Sequence, residues 1–165
     1  MMTASESSED KANAFKLMRL IVDLGGEALR ITLKKQLSGI DLFLVLNNPT
    51  NKKKLSKLKN KLIGQEQWNL LYPSPPTLPN ENDFDITLLC ILLRNICHLK
   101  PPHDSIWKNI PNPTDHSTEA DITRIRLFRN GRFAHLPSTS VSNDDFENFW
   151  LEISEPLVQI GRAHV

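Results

Sequence analysis

Apolar residues recur at nearly helical spacing through the first part of the chain, from Ala12 to Leu37. A stripe repeated every three or four residues predicts the buried face of one long amphipathic helix. Its members are Phe15, Met18, Val22, Leu29, Leu33 and Leu37. Gly25 and Gly26 lie inside this segment, where glycine is unfavourable by about 1 kcal/mol relative to alanine. We interpret the glycine pair as a place where a second helix packs closely, in preference to a bend.

A short apolar segment, Ile40–Leu46, is followed by Asn47, Asn48 and Pro49, which are typical of a turn. Beyond it come six lysines with no acidic residue between them, interleaved with leucines at helical spacing: Lys52, Lys53, Lys54, Lys57, Lys59 and Lys61, with Leu55, Leu58 and Leu62. This pattern predicts an amphipathic helix with a basic face. Such a face ordinarily keeps a protein soluble. A more specific interpretation is that Lys53, Lys54 and Lys57 contact phosphate groups.

The most apolar stretch of the chain follows a proline-rich connector between Tyr72 and Pro79. It predicts a helix that begins near Phe84, with Asn82 or Asp83 as its N-terminal cap. Because this helix is apolar on nearly every side, we expect it at the centre of a bundle.

Two capping patterns introduce the last helices. Thr118 stands three residues before Asp121, and Ser142 stands three residues before Asp145, which is the spacing of a capping box. Apolar residues follow each cap at helical spacing: Ile122, Ile125 and Phe128 in the first helix, and Phe146, Phe149, Trp150, Ile153 and Leu157 in the second. Pro156 is expected to kink or shorten the second helix.

No segment has the period of two that is typical of β-strands, and the chain has no internal repeat. The sequence therefore predicts an all-α protein, an antiparallel bundle of four to five helices. We expect a disordered tail at 1–11 and one helical domain at 12–159. Residues 160–165 match a translated frame of a common sequencing adaptor, so two explanations stay open: non-native read-through, or a natural helix end at Ile160 and Gly161.

The composition is that of an ordinary globular domain, with 39% hydrophobic and 24% charged residues. The formal net charge of +1 is too small to indicate a nucleic-acid partner, so affinity for RNA must come from local clusters of charge. The only cysteines, Cys90 and Cys97, lie in an apolar segment, which excludes a disulfide framework and predicts buried thiols. Neither a signal peptide nor an apolar run approaching the roughly 20 residues of a membrane span is present, so we expect a cytoplasmic protein without membrane contact.

The segment from Asp121 to His135 contains four arginines, an asparagine and a histidine. Arginine and histidine together suit RNA cleavage, because imidazole exchanges protons near neutral pH and guanidinium stabilises charge on a phosphoryl group. The candidate catalytic residues are Arg129, Asn130 and His135, and Arg126 and Arg132 are candidate RNA contacts. This scheme requires no metal ion or other cofactor. Structural salt bridges are the ordinary explanation for the arginines.

On a regular helix, Arg129 and His135 are six residues and about 600° apart, and therefore point to different sides. They can converge only if the helix ends between them. Gly131 supplies the expected end, since glycine commonly terminates helices.

The stretch from Phe84 to about Leu157 resembles the HEPN domain of the DAZ-interacting zinc-finger ubiquitin ligase type, which also occurs in invertebrate immune-receptor-like proteins. The resemblance rests on Phe84-Asp-Ile-Thr-Leu-Leu-Cys-Ile-Leu-Leu-Arg94-Asn95-Ile, on Asp121-Ile-Thr-Arg124-Ile-Arg126 with Arg129-Asn130 and Ala134-His135, and on Asp145-Phe-Glu-Asn-Phe-Trp150. It covers about half of the chain.

This resemblance implies a helical bundle that forms a homodimer, with an Arg-x4–6-His motif from each copy across a shared cleft. Members of the family cleave RNA without metal, bind RNA without cutting it, or only mediate assembly within larger polypeptides of immune signalling or ubiquitin ligation. The resemblance assigns the site to Arg129, Asn130 and His135, with single-stranded RNA as the expected partner. Gly131 and Arg132 depart from the acidic or apolar residues common there, which favours binding over turnover. Arg94 and Asn95 are interpreted as structural supports of the core helix.

Overall fold

Eight α-helices joined by turns make up most of the described chain, which comprises residues 8–99, 107–133 and 140–162 of a computed structural model. They are α1 (Ser8–Arg19), α2 (Gly26–Gln36), α3 (Leu42–Asn47), α4 (Pro49–Ser56), α5 (Gln65–Leu71), α6 (Ile86–Asn95), α7 (Thr118–Leu127) and α8 (Asn143–Arg162). A 3-10 turn occupies Glu81–Asp83, and π-helical turns occupy Leu20–Gly25 and Phe128–Phe133. These ranges contain no β-strand, and the predicted all-α helical bundle is confirmed.

The first π-helical turn joins α1 to α2 and changes which side of α1 is buried. A π turn closes its hydrogen bonds over five residues instead of four, so it shifts the sequence pattern by about one position. As a result, Leu17 and Ile21 are buried, whereas the expected core residues Phe15, Met18 and Val22 are 56%, 43% and 49% exposed. The prediction for these three residues is wrong. Beyond the turn the predicted face is buried as expected, through Leu29, Leu33 and Leu37.

Gly25 is buried where α6 and α7 approach the end of this π turn. A Cβ atom built on Gly25 would lie 3.5 Å from Cδ1 of Ile86 in α6 and 3.8 Å from Cγ2 of Ile125 in α7. Gly25 therefore marks close packing of helices, as the sequence predicts, whereas the atoms nearest to a Cβ atom on Gly26 would belong to the side chain of Arg30 in the same helix.

The basic helix is shorter than its leucine spacing predicts. Asn48 caps α4 by accepting hydrogen bonds from the backbone N–H groups of Thr50 and Asn51, at 3.0 and 3.3 Å. The helix ends at Ser56, and the chain then turns through Asn60, whose φ is 67°. Leu62 is consequently 55% exposed, although it was expected on the buried face. Helix α5, which follows this turn, was not predicted.

Helix α6 lies at the centre of the bundle, as predicted, and packs against α2, α4 and α7. Its fully apolar sides are covered by neighbouring helices, and its buried residues are Ile86, Leu88, Leu89, Cys90, Ile91, Leu92 and Leu93. The expected caps Asn82 and Asp83 belong instead to the preceding 3-10 region. Asp85 caps α6, because its carboxylate accepts a 2.8 Å hydrogen bond from the N–H of Leu88.

Helix α8 packs along α7 and α1 and closes the bundle. Ser142 caps it as predicted, by accepting from the N–H of Asp145 at 3.2 Å. Asn13 of α1 holds this entry point, because its Nδ2 donates to the carbonyl of Val141 at 3.0 Å. The helix continues beyond Pro156 to Arg162, so the expected shortening is wrong.

Helix α7 is capped one residue earlier than predicted. The Ser117 hydroxyl accepts from the N–H of Ala120 at 3.2 Å, so Ser117 and not Thr118 is the capping residue.

Among the described residues, no helix is long and apolar enough to cross a membrane.

Replacing Gly25 with alanine is expected to raise the free energy of unfolding by about 0.5–1 kcal/mol, because alanine restricts the unfolded chain and its methyl group fits the measured space. Replacing it with leucine should lower that free energy by about 1–3 kcal/mol, because the larger side chain forces Ile86 and Ile125 apart. Urea denaturation of the three proteins measures both changes. A destabilised alanine variant would contradict this description of the packing.

Candidate functional site

The candidate catalytic segment continues α7 as a π-helical turn, Phe128–Phe133. Within this turn Arg129 is half-buried and Asn130 is exposed. The winding passes Gly131 without ending, so the predicted helix end at this glycine is wrong. A Cβ atom on Gly131 would have no neighbour within 4 Å, which means that packing does not require glycine here. Single π turns within α-helices frequently mark functional sites, since they aim side chains in directions that a regular helix does not reach.

His135, the expected partner of Arg129, lies outside the described residues, as does the side chain of Arg132. The convergence of Arg129 and His135 therefore stays a prediction. Arg129 and Asn130 themselves are neighbours on one turn.

A cleft of about 730 Å³ runs between α7, α8 and the proline-containing segment before α7. Gly131 and Phe128 of the π turn line one side of it, which connects the candidate segment with an open space. The remaining lining residues are Ile110, Pro111, Pro113, Arg124, Leu127, Leu151, Glu152, Glu155, Pro156 and Gln159. Phe128 is held from behind by Phe149 of α8, whose ring meets it edge-on with centroids 6.0 Å apart.

Arg126 and Arg94 meet at Trp107, a cluster that the sequence patterns do not predict. Nη1 of Arg126 donates to the Trp107 carbonyl at 2.8 Å, and Cζ of Arg94 lies 5.8 Å from the centre of the indole ring. Burial lowers the pKa of Arg94, and the nearby positive charge of Arg126 lowers it further. Arg94 thus contacts Trp107, which is compatible with its expected structural role, and Arg126 has a structural contact besides its proposed contact with RNA.

Burial makes the thiol groups of Cys90 and Cys97 unreactive. Burial raises the pKa of the Cys90 thiol to about 12, although Arg126 and Arg94 oppose this shift. Burial also raises the pKa of Cys97 to about 12. Since the thiolate is the reactive form, neither side chain is suited to nucleophilic chemistry at neutral pH.

An ion pair on another side of α7 joins Asp121 to Arg124, with 3.0 Å between Oδ1 and Nη1. Nη2 of Arg124 also donates to the carbonyl of Asn112 at 2.9 Å, which attaches the proline-containing segment to the helix. Asp121 is only 1% exposed, and burial raises its pKa to about 6 in spite of Arg124. This aspartate was predicted to close a capping box, and it instead anchors a buried pair.

The candidate phosphate-binding lysines Lys53, Lys54 and Lys57 are exposed on or just after α4. Two other lysines of the stretch cover aromatic rings: Lys52 lies 4.9 Å from the ring centre of Tyr72, and Lys59 lies 4.8 Å from that of Trp68. Helix α4 packs against α3 and α6. The lysines are therefore carried by a different helix pair from the one that carries Arg129.

In the part of the chain that the structure describes, no three His, Cys, Asp or Glu side chains group as metal ligands.

The all-α helical bundle agrees with the fold expected of a HEPN domain. A family model described as DZIP3/hRUL138-like HEPN matches residues 40–165, and the chain belongs to this family.

Two curated relatives are similar to the chain. The human E3 ubiquitin-protein ligase DZIP3 is 32% identical over 96 residues, and its mouse counterpart is 29% identical over 94 residues. Each match covers 57% of this chain but only 8% of the relative, so the matched region is a small part of a much larger polypeptide. No solved structure matches the chain.

The raised pKa of Asp121 predicts a pH-dependent stability. The folded state binds this proton more tightly than the unfolded state, whose pKa is near 3.8, so folding loses stability as the pH rises from about 4 to 6. Asp121→Asn has no such loss. The free energy of unfolding of the variant minus that of the natural chain should rise across this window, by up to about 1.4 kcal/mol per pH unit. Denaturant titrations at several pH values measure the difference, and a flat difference would show that Asp121 is not desolvated.

Proposed function

We propose that this domain binds single-stranded RNA and cleaves it without a metal ion, with Arg129, Asn130 and His135 as the catalytic residues. The observation that carries the proposal is the π-helical turn of a HEPN-family bundle, which carries Arg129 and Asn130 between Phe128 and Gly131, two residues that line the cleft between α7 and α8. The family membership supports these roles, and the geometry of the turn is compatible with substrate access.

The proposed reaction is an internal transesterification. The 2′-hydroxyl of one nucleotide gives its proton to the imidazole of His135, and its oxygen attacks the adjacent phosphorus. The bond from phosphorus to the 5′-oxygen breaks, and that oxygen takes a proton from water, which leaves a 2′,3′-cyclic phosphate and a 5′-hydroxyl. The protonated imidazole then returns its proton to the solvent. Arg129 stabilises the additional negative charge on the phosphoryl oxygens. Asn130 orients the substrate or the histidine through its amide.

Affinity for RNA is assigned to basic residues around this turn and on α4. Arg126 uses one of its five N–H donors on Trp107, so further donors are available for a phosphate. Arg132 follows in the same segment. Lys53, Lys54 and Lys57 add exposed positive charge that attracts the RNA backbone at longer range.

The proposal includes a homodimer, in which two copies place their catalytic segments across a shared cleft. Apolar side chains at the edge of the cleft support this arrangement, because Leu151 and Ile110 are 63% and 86% exposed. In the relatives named above, the equivalent module is part of a ubiquitin ligase, and we propose that this domain likewise works together with further domains.

An interaction module without catalysis is the second candidate function. The observation that favours it is the apolar stripe of Phe15, Met18 and Val22, which the π turn of the first helix leaves exposed. A module of this kind forms a stable assembly and has no salt-sensitive affinity for RNA.

Incubating the domain with labelled single-stranded RNA in excess chelator should yield products that end in 2′,3′-cyclic phosphate. His135→Ala should slow cleavage by about 100-fold or more, the usual contribution of a general acid or base. Gel analysis of the products measures the rate. The matched control is His98→Ala, because His98 is an exposed histidine that lines a different groove.

Two outcomes oppose this mechanism. Cleavage that His135→Ala leaves intact removes His135 from the reaction. Cleavage that chelator abolishes contradicts a metal-independent reaction.

The salt dependence of RNA affinity tests the α4 lysines. Each phosphate contact adds about 0.7 to the slope of log affinity against log salt for single strands, so Lys53→Gln with Lys57→Gln should reduce this slope by about 1.4. The matched control replaces Lys11 and Lys16, two exposed lysines of α1, and should leave the slope unchanged. Fluorescence anisotropy at several salt concentrations measures both. Equal slopes in the two double variants would contradict the proposed phosphate contacts and would leave solubility as the role of the α4 lysines.

A further inference from the structure

Two arginines from neighbouring helices converge on one tryptophan. Arg94 lies in the last turn of α6 and Arg126 in the last turn of α7. Trp107 receives both, Arg94 over its ring at 5.8 Å and Arg126 at its carbonyl oxygen at 2.8 Å. Both arginines are half-buried, so their positive charges are partly away from water, and the charge of Arg126 is near enough to lower the pKa of Arg94.

Among the residues that the structure describes, no carboxylate forms an ion pair with Arg94 or Arg126. Ion pairs among the described residues include Arg19 with Asp23, Lys34 with Glu81, and Arg124 with Asp121, and none of these three involves Arg94 or Arg126. The Nε atom of Arg94 is moreover buried without a hydrogen-bond acceptor in the described part of the chain. A buried guanidinium N–H without an acceptor is unfavourable, so an acceptor oxygen from a bound ligand or a water molecule would stabilise this side chain.

We propose that Arg94 and Arg126 form a binding site for a phosphate group. A phosphate fits the arrangement because its several oxygens can accept from the Nε edge of Arg94 and from the free donors of Arg126 at the same time. The charges of both arginines influence the pKa of Cys90, so this thiol lies near them. Because the thiol stays protonated, it adds no negative charge that would repel a phosphate. The partly buried surroundings strengthen the attraction relative to an exposed site.

The position of the site indicates where the phosphate comes from. Arg126 is the penultimate residue of α7, and Arg129 lies three residues further along the chain, in the π turn that begins directly after the helix. A chain of nucleotides with one phosphate at Arg129 can therefore place an adjacent phosphate at Arg126 and Arg94. The assignment of RNA as the source of the phosphate rests on the proposed function, whereas the phosphate site itself does not.

The experiment is an NMR titration of the arginine Nε–Hε resonances in the full chain labelled with ¹⁵N. Inorganic phosphate should shift the Arg94 Nε–Hε signal along a saturating curve. Arg126→Lys keeps one positive charge and a donor for the Trp107 carbonyl, and should weaken phosphate binding at least tenfold. Arg19→Lys is the matched control, since Arg19 is exposed and paired with Asp23, and it should leave the affinity unchanged. Thermal unfolding checks that the variants fold.

An Arg94 signal that does not move, or that moves without saturation, overturns the site. Equal phosphate affinity in the Arg126→Lys and natural chains overturns the pairing of the two arginines.

A second titration separates the two sources of phosphate. A short single-stranded oligoribonucleotide should shift the same Arg94 signal and compete with inorganic phosphate. If phosphate binds and the oligoribonucleotide does not compete, the site stands as one for free phosphate and its assignment to RNA is overturned. If both bind while Arg129→Ala and His135→Ala leave RNA cleavage unchanged, the phosphate site is supported and the proposed catalytic residues are wrong.

Discussion

The burial of α6 is the constraint on which the rest of the bundle depends. Helix α6 is itself apolar on nearly every side, so α2, α4 and α7 must surround it to keep its side chains from water. In this arrangement, side chains from the last turn of α6 and from the last turn of α7 reach the same tryptophan. Arg94 and Arg126 consequently meet at Trp107, and the π-helical turn that carries Arg129 begins directly beyond. The candidate site is therefore positioned by the core.

Elements with strong local signals could be predicted from the sequence. The central place of α6 follows from its continuous apolar residues, and the start of α8 follows from the Ser142 cap. The buried side of α1 could not be predicted, because apolar spacing assumes regular winding and the turn at Leu20–Gly25 shifts the pattern. The prediction for Pro156 failed in the opposite way, because a shorter helix was expected and α8 continues past this residue. The helix tolerates the loss of one hydrogen bond there because the surrounding residues, including buried Ile153 and Ile160, hold α8 against the core.

The candidate site was predictable in part. Arg129 and Asn130 were identified from a family motif, and the structure places both on one accessible turn. The helix end at Gly131 was wrong, since a wider turn continues the winding where a break was expected. The pairing of Arg94 with Arg126 was not predicted, because the two residues lie on different helices and only the packing of α6 against α7 brings them together. Periodicity describes single helices and carries no information about such contacts.

The most direct test of a joint catalytic site is a double-mutant cycle on RNA cleavage in excess chelator. Rates are compared for the natural chain, for Arg129→Ala, for His135→Ala and for the double variant. Residues that act as a unit give losses that do not add, so the double variant should be little slower than the worse single variant. Losses that multiply independently, or single variants that cleave at the natural rate, would contradict a shared site.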